Sequence, residues 1–279
     1  MCLDQPTSKN NNQNSNQNKP KKTAPTTPAP SSAPSYFAQH FLNFQPEPPQ
    51  VHVLENAHFK RRIILNCNRQ WGKSTIAAIL ITHRLFTNPG CLVLIIAPAG
   101  RQSGEAFLKV KRYLRHSLDQ TFTTDGINRD SVLLNNGSRL VALPAIEETT
   151  RCFSAVSLML FDEASNIDDD VYLAFRPMVA VGNGDIMIIS TPRGRKGFFY
   201  REMAGLNQRT APQWFRHTGP VTECVPRISE EFIEDEKSLG DSHFRQEWLC
   251  EFLRTAIYTF DEETLQKAVK RELDSFQWL

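Results

Sequence analysis

Four stretches of strand length, "RIILNC" (62–67), "CLVLIIAP" (91–98), "SLMLFDEAS" (157–165) and "DIMIIST" (185–191), are near-continuous runs of aliphatic and β-branched residues. A strand with one wet face alternates apolar and polar residues. A run that is apolar throughout suits the centre of a parallel sheet covered by helices on both sides. Between the first two runs lies "STIAAILITHRLFT", a helical stretch ended by Asn88-Pro89-Gly90, and after the second comes "RQSGEAFLKVKRYLRHSL", amphipathic and basic. This order of strand, helix, strand and helix predicts a doubly wound α/β domain with a mainly parallel sheet. "SVLLNNGSRLVALPA" reads as an inserted β-hairpin, with Asn136-Gly137 supplying the positive-φ positions of a tight turn.

Either side of this alternation the texture differs. Residues 1–35 are Asn, Gln, Ser, Thr, Pro and Lys with almost nothing apolar to bury, so packing cannot offset the entropy of ordering them, and a disordered tail is expected. Tyr36, Phe37, Phe41 and Phe44 then predict a short amphipathic helix closing before Pro46, Pro48 and Pro49. Beyond residue 205, "ISEEFIEDEKSLGDSHFRQEWLCEFL" predicts two short helices separated at Gly240, the first capped by Ser229 with Glu230 and Glu231 in its opening turn. No further strand-helix alternation is expected there.

Thirty-two basic residues against 30 acidic ones leave a net charge of +2, so phosphate or nucleic-acid binding has to come from local clusters. Two clusters stand out: Arg101, Lys109, Lys111, Arg112 and Arg115, which also reads as a solvated helix face, and Arg193, Arg195, Lys196 and Arg201, the better candidate for such phosphate contacts. Cys2, Cys67, Cys91, Cys152, Cys224 and Cys250 form no pair or cluster with metal-ligand spacing, which points to free thiols in a reducing compartment. No apolar run approaches the roughly 20 residues of a membrane span, and the N-terminus lacks the order of a secretory signal, so a cytoplasmic location is expected.

The chemistry concentrates at the ends of the apolar runs. "RIILNC" passes through a polar loop into a helix at Gly72-Lys73-Ser74, the second half of a phosphate-binding loop whose first glycine is replaced by Cys67. Such a loop points backbone N–H groups and a helix N-terminus at the β- and γ-phosphates, adds a lysine as point charge, and offers a hydroxyl, here Ser74, to Mg²⁺. A basic turn ahead of a helix is the alternative. "SLMLFDEAS" sets Asp162-Glu163 at the C-terminal end of a buried strand, where open α/β sheets bind ligands. There Asp162 can hold the metal and Glu163 can orient and deprotonate water, although acidic residues opening a helix would look the same. "DIMIIST" puts two hydroxyls, Ser190 and Thr191, beside the same place.

In their order these motifs resemble the large terminase subunit of tailed bacteriophages, an ATPase motor that packages DNA into proheads, from about Tyr36 to Val269. "CNRQWGKST" is similar to the family's deviant Walker A, "LMLFDEAS" to its Walker B strand, and "ISTPRGRKGFFY" to its coupling motif. The resemblance implies a RecA-like P-loop ATPase core at 36–208, a small helical lid at 209–256, and a truncated connection at 257–279 to an absent nuclease domain, hence no nuclease activity from this chain. It also implies ATP and Mg²⁺ as cofactors. Asn68, Gln70, Trp71, Gly72, Lys73, Ser74 and Thr75 would contact the nucleotide, Gln50 the adenine and Arg69 the γ-phosphate, and Arg151 would reach a neighbouring subunit's nucleotide. Implied partners are double-stranded DNA, further copies in a homo-oligomeric ring on a portal or prohead, and a small terminase subunit. A non-enzymatic prophage remnant and a helicase-like ATPase are the competing readings.

Overall fold

The four apolar runs become four neighbouring strands at the middle of one eight-stranded sheet. The computed structural model describes residues 33–57, 61–98, 100–118, 122–123, 130–146, 153–224 and 227–254. Its strands are β1 (Arg62–Cys67), β2 (Leu92–Ala97), β3 (Phe122–Thr123), β4 (Ser131–Leu134), β5 (Arg139–Pro144), β6 (Leu158–Asp162), β7 (Asp185–Ser190) and β8 (Trp214–Gly219). Their spatial order is β3-β4-β5-β2-β6-β7-β1-β8. From β5 to β8 every pair is parallel, and β4 and β3 complete one edge in antiparallel fashion.

Successive strand side chains point to opposite faces, and both faces are covered, which is why the runs do not alternate in polarity. On one face Leu65, Ile95, Leu160 and Ile189 pack beneath α1 (Pro34–His40), α2 (Pro48–Ala57), α3 (Lys73–Thr87) and α4 (Gly100–Arg112). On the other, Ile64, Leu94, Phe161 and Ile188 pack against α5 (Asp169–Phe175) and α6 (Gly197–Met203). Each such aliphatic side chain, fully buried, contributes on the order of 1.5–3 kcal/mol, so the sheet centre is the rigid floor under everything at its C-terminal edge. The last helices, α7 (Glu230–Ser238) and α8 (Asp241–Glu247), form a satellite joined through Phe244, Trp248 and Val221.

Three expectations are revised. The hairpin is not an insertion: β5 pairs with β2 through six residues and extends the main sheet. Its turn is a three-residue loop in which Gly137 (φ +81) has a positive φ and Asn136 does not, so only one left-handed position was needed. The chain after 208 is not all helical, because Trp214–Gly219 adds a strand parallel to β1 and carries the core sheet past the expected boundary. Only two of its six residues are buried, and a half-exposed edge strand lacks the apolar run that marks a central one. Finally, Pro48 opens α2 rather than merely closing the preceding helix, since a proline at the first helical position loses no hydrogen bond. Residues 1–32 of the tail, the segment 255–279, Arg151 and Cys152 lie outside the described residues.

Candidate active site

Strand order decides what can meet at the C-terminal edge. β7 lies between β6 and β1, with Asp162 level with Ile189 and Asn66 level with Ser190. The ends of "LMLFD", "DIMIIS" and "RIILNC" therefore lie side by side, about 5 Å apart strand to strand. The loop after β1 turns at Gly72, whose φ of +94 is the left-handed conformation glycine adopts without strain, and α3 begins at the next residue. A Cβ on Gly72 would also approach Gln50 Nε2 to 3.0 Å. Cys67 has no positive φ and ends β1 as an ordinary buried strand residue, so this loop has no need of glycine at that position.

Lys73 is 5% exposed, and its Nζ donates to Thr191 Oγ1 (3.3 Å) and to the Asn68 carbonyl (3.5 Å). Thr191 Oγ1 in turn donates to the Cys67 carbonyl over 3.1 Å, stitching β7 to the loop's root. Asp162 is 3% exposed, and burial first, then the neighbouring Glu163, push its carboxyl up to about 6, with Lys73 opposing the rise. A buried carboxylate raised in this way offers hard oxygen ligands of the kind that suit Mg²⁺. Glu163 is held at φ +54, uncommon outside glycine, with its N–H donating to Asp162 Oδ1 at 2.9 Å. The N-terminus of α3, an ammonium and two carboxylates thus share one edge, an arrangement suited to a polyphosphate and its cation.

The other sequence-predicted residues divide by what their side chains touch. Asn68 is fully buried, donating to the Gly219 carbonyl (3.0 Å) and accepting from Gln70 N–H (2.8 Å). Trp71 is 1% exposed and donates from Nε1 to Glu223 Oε2 at 2.6 Å, so its ring supports the loop from beneath. Gln50 donates to the Trp71 carbonyl (2.9 Å) and accepts from Glu47 N–H (3.0 Å), which makes it a brace for the same loop. Gln70 is exposed, and its carbonyl accepts from Arg227. Arg69 points outward and pairs with Glu247 of α8 at 2.9 Å. Thr75 accepts from Lys109 Nζ at 3.3 Å, beside a cleft of about 740 Å³ bordered by Phe41, Phe44 and Tyr113.

Ser190 departs from expectation. Adjacent strand residues face opposite ways, so while Thr191 reaches Lys73, Ser190 Oγ accepts from Ser165 N–H (3.1 Å) and lies 2.8 Å from Ser165 Oγ, tying β7 to the turn after Asp162. In the basic segment, Arg193 bonds Asn166, Arg195 donates to the Phe252 carbonyl (2.8 Å) and Arg201 pairs with Asp169 (2.8 Å), so three of its four cations have partners within the chain. Sequence reasoning missed Gly219, which lies against Trp71, as well as Glu223, Ser165 and Asn66. Only Asn66 carried a signal, as an amide inside an apolar run; it donates to the Cys250 carbonyl at 2.8 Å.

Known proteins share this architecture. The large terminase subunit of Thermus phage G20c is 27% identical over 244 residues, covering 76% of this chain and 50% of that protein. The ATPase domain of the Thermus phage P74-26 large terminase superposes with a TM-score of 0.67 at 22% identity, covering 80% of this chain and all of that domain. The large terminase of another thermophilic bacteriophage, solved in complex with ADP, gives 0.63 at 12% identity over 74% of this chain and 53% of that one. At such identities the structural likenesses establish the RecA-like fold. The chain spans about half the length of the curated relatives it matches. Over residues 64–267 the sequence matches the family described as terminase large subunit, T4likevirus-type, N-terminal, and the chain belongs to that family.

Proposed function

We propose that the chain is the ATPase part of a DNA-packaging motor, hydrolysing Mg-ATP and coupling the reaction to movement of double-stranded DNA. The observation that carries this reading is the meeting of Lys73, Asp162 and Glu163 at the edge of three adjacent strands. The first N–H groups of α3 and the Lys73 ammonium hold the β- and γ-phosphates, and Lys73 exchanges its bond to Thr191 for one to a phosphate oxygen. Ser74 and Asp162 hold Mg²⁺, which when bound draws charge from the phosphate oxygens. Glu163 orients the attacking water and accepts its proton. Arg69 leaves Glu247 to sense the γ-phosphate, Arg151 serves a neighbouring copy's nucleotide, and Gln50 reads the adenine by giving up one of its two backbone bonds.

The fold and family support this reading, as does the thermophilic bacteriophage terminase solved both with ADP and with ATP-gamma-S. Double-stranded DNA, a homo-oligomeric ring on a portal or prohead, and a small terminase subunit are the partners of the same reading. Arg112, the last residue of α4, and Arg115 in the helical turn after it are both exposed and suit duplex phosphates. Among the described residues no helix is long and apolar enough to cross a membrane, in keeping with work in the host cytoplasm.

The test is Glu163→Gln. The variant should retain ATP binding within a few-fold while duplex-stimulated turnover falls by roughly 10²–10⁴-fold. Undiminished hydrolysis would remove Glu163 from the chemistry, and a wild-type chain that binds no nucleotide would identify a remnant.

A further inference from the structure

Between the segment that follows Thr191 and helix α8 runs a groove of about 760 Å³ lined by Arg193, Arg195, Lys196, Arg245, Arg254 and His243, with no carboxylate in its lining. The groove has a fixed shape: Gly194 N–H donates to Gln246 Oε1 (3.2 Å), Arg195 is held by the Phe252 carbonyl, and Arg245 is held by Glu251 at 2.6 Å. Lys196 and Arg254 make no ion pair among the described residues, so this basic surface has uncompensated charge.

The complement is on the same chain. Helix α7 turns Phe232, Ile233 and Glu236 toward α8, where Phe232 meets the Trp248 ring and Glu236 accepts from Trp248 Nε1 at 2.8 Å. Helical periodicity then directs Glu230, Glu231, Glu234 and Asp235 away from α8, and all four are exposed. Only Glu234 among them has an ion-pair partner among the described residues, Lys237. Leu239, 70% exposed at the end of this helix, adds apolar surface that water solvates poorly. On α8 the groove takes Ser242, His243, Arg245 and Gln246, whereas α7 packs on Phe244 and Trp248 and meets the groove lining through Glu236, 3.8 Å from His243.

We propose that the groove receives the acidic face of α7 from a second copy of this chain, in a heterologous contact of the kind that closes rings. The inference deepens the ring assembly of the preceding reading by naming its surfaces, and it gives the contact a consequence. The groove's Arg193, Arg195 and Lys196 follow within five residues of Thr191, the partner of Lys73, so a neighbour's α7 would press on the segment that leaves the phosphate-binding site. A concave groove with pinned guanidinium groups suits a helix's carboxylates better than the convex backbone of a duplex, and the matching charge exists in this chain.

Association of the full chain is measured by sedimentation velocity at low ionic strength, without nucleotide or DNA, so the result is independent of ATP hydrolysis. Wild type should associate in a salt-sensitive manner. Lys196→Glu/Arg254→Glu and Glu231→Lys/Asp235→Lys, chosen because none of these side chains has an ion-pair partner within the described chain, should each associate at least tenfold more weakly. An equimolar mixture of the two should recover association, because each reversed surface then meets its complement. A wild-type chain that stays monomeric, a variant that associates like wild type, or a mixture that fails to recover would each overturn the proposal. Duplex binding lost in the groove variant with association intact would make the groove a nucleic-acid surface instead.

Discussion

Lys73 Nζ and Thr191 Oγ1 lie 3.3 Å apart, and the same hydroxyl donates to the Cys67 carbonyl at 3.1 Å. One side chain, on the residue that follows β7, thus holds both the root of the phosphate-binding loop and its lysine. Thr191→Val keeps the shape and removes the oxygen, leaving the buried ammonium with one acceptor. Chemical denaturation should show a loss of about 1–3 kcal/mol, and Thr191→Ser should recover most of it.

Gly219 is required by contact rather than by backbone conformation. A Cβ there would come within 2.5 Å of the Trp71 ring and 2.9 Å of Cys67 Sγ, both buried. Gly219→Ala should destabilise the fold by roughly 1–3 kcal/mol or more and weaken nucleotide binding along with it, because the displaced ring supports the loop from beneath. Thermal melts read the first effect and nucleotide titrations the second.

Asp162 opposes stability when it ionises without a cation. Its carboxyl is raised from 3.8 to about 6, so the unfolded chain releases this proton before the folded one does. The contribution is fully present below pH 3.8 and is lost as pH rises through about 6, a cost of up to roughly 3 kcal/mol at neutral pH. In EDTA, Asp162→Asn should therefore be more stable than wild type at about pH 7.5 and show no advantage at about pH 4. A wild-type chain that outlasts the variant under the neutral condition would contradict the assignment.

His217 titrates in the opposite sense. Burial lowers its pKa from 6.5, opposed by Glu223 at 3.1 Å, with His52 adding to the fall. A base depressed by folding contributes stability that is present above its unfolded pKa and lost as pH falls through the folded value. Denaturation midpoints measured from about pH 7.5 down to about 5 should drop less in His217→Gln than in wild type.

Arg69, its side chain 76% accessible, pairs at the surface with the half-buried Glu247. Such pairs contribute about 0–1 kcal/mol, so Arg69→Ala and Glu247→Ala should melt close to wild type. If Arg69 senses the γ-phosphate, turnover should fall only in the arginine variant. Equal turnover in both would restrict Arg69 to bridging the loop and α8.

Legibility in the sequence followed the locality of the cause. Lys73 at the head of a helix and Asp162 at the end of a buried strand could be placed because a handful of neighbouring residues fix both. β8 could not, since Trp214–Gly219 is a half-exposed edge strand held by its pairing to β1. The opposite aims of Ser190 and Thr191 follow from strand pleating once the strand's end is known, but their partners, Ser165 and Lys73, come from other parts of the chain.

The sequence alone determined the apolar runs, the helices between them and the chemical inventory at their ends, because hydrophobic periodicity and capping act over a few residues. Only the tertiary structure decided that β7 lies between β1 and β6, that Gly219 meets Trp71, and that Arg69 faces Glu247. Those relations join residues up to 178 positions apart. They depend on how two helical layers pack against the sheet, a long-range balance that no local pattern of residues encodes.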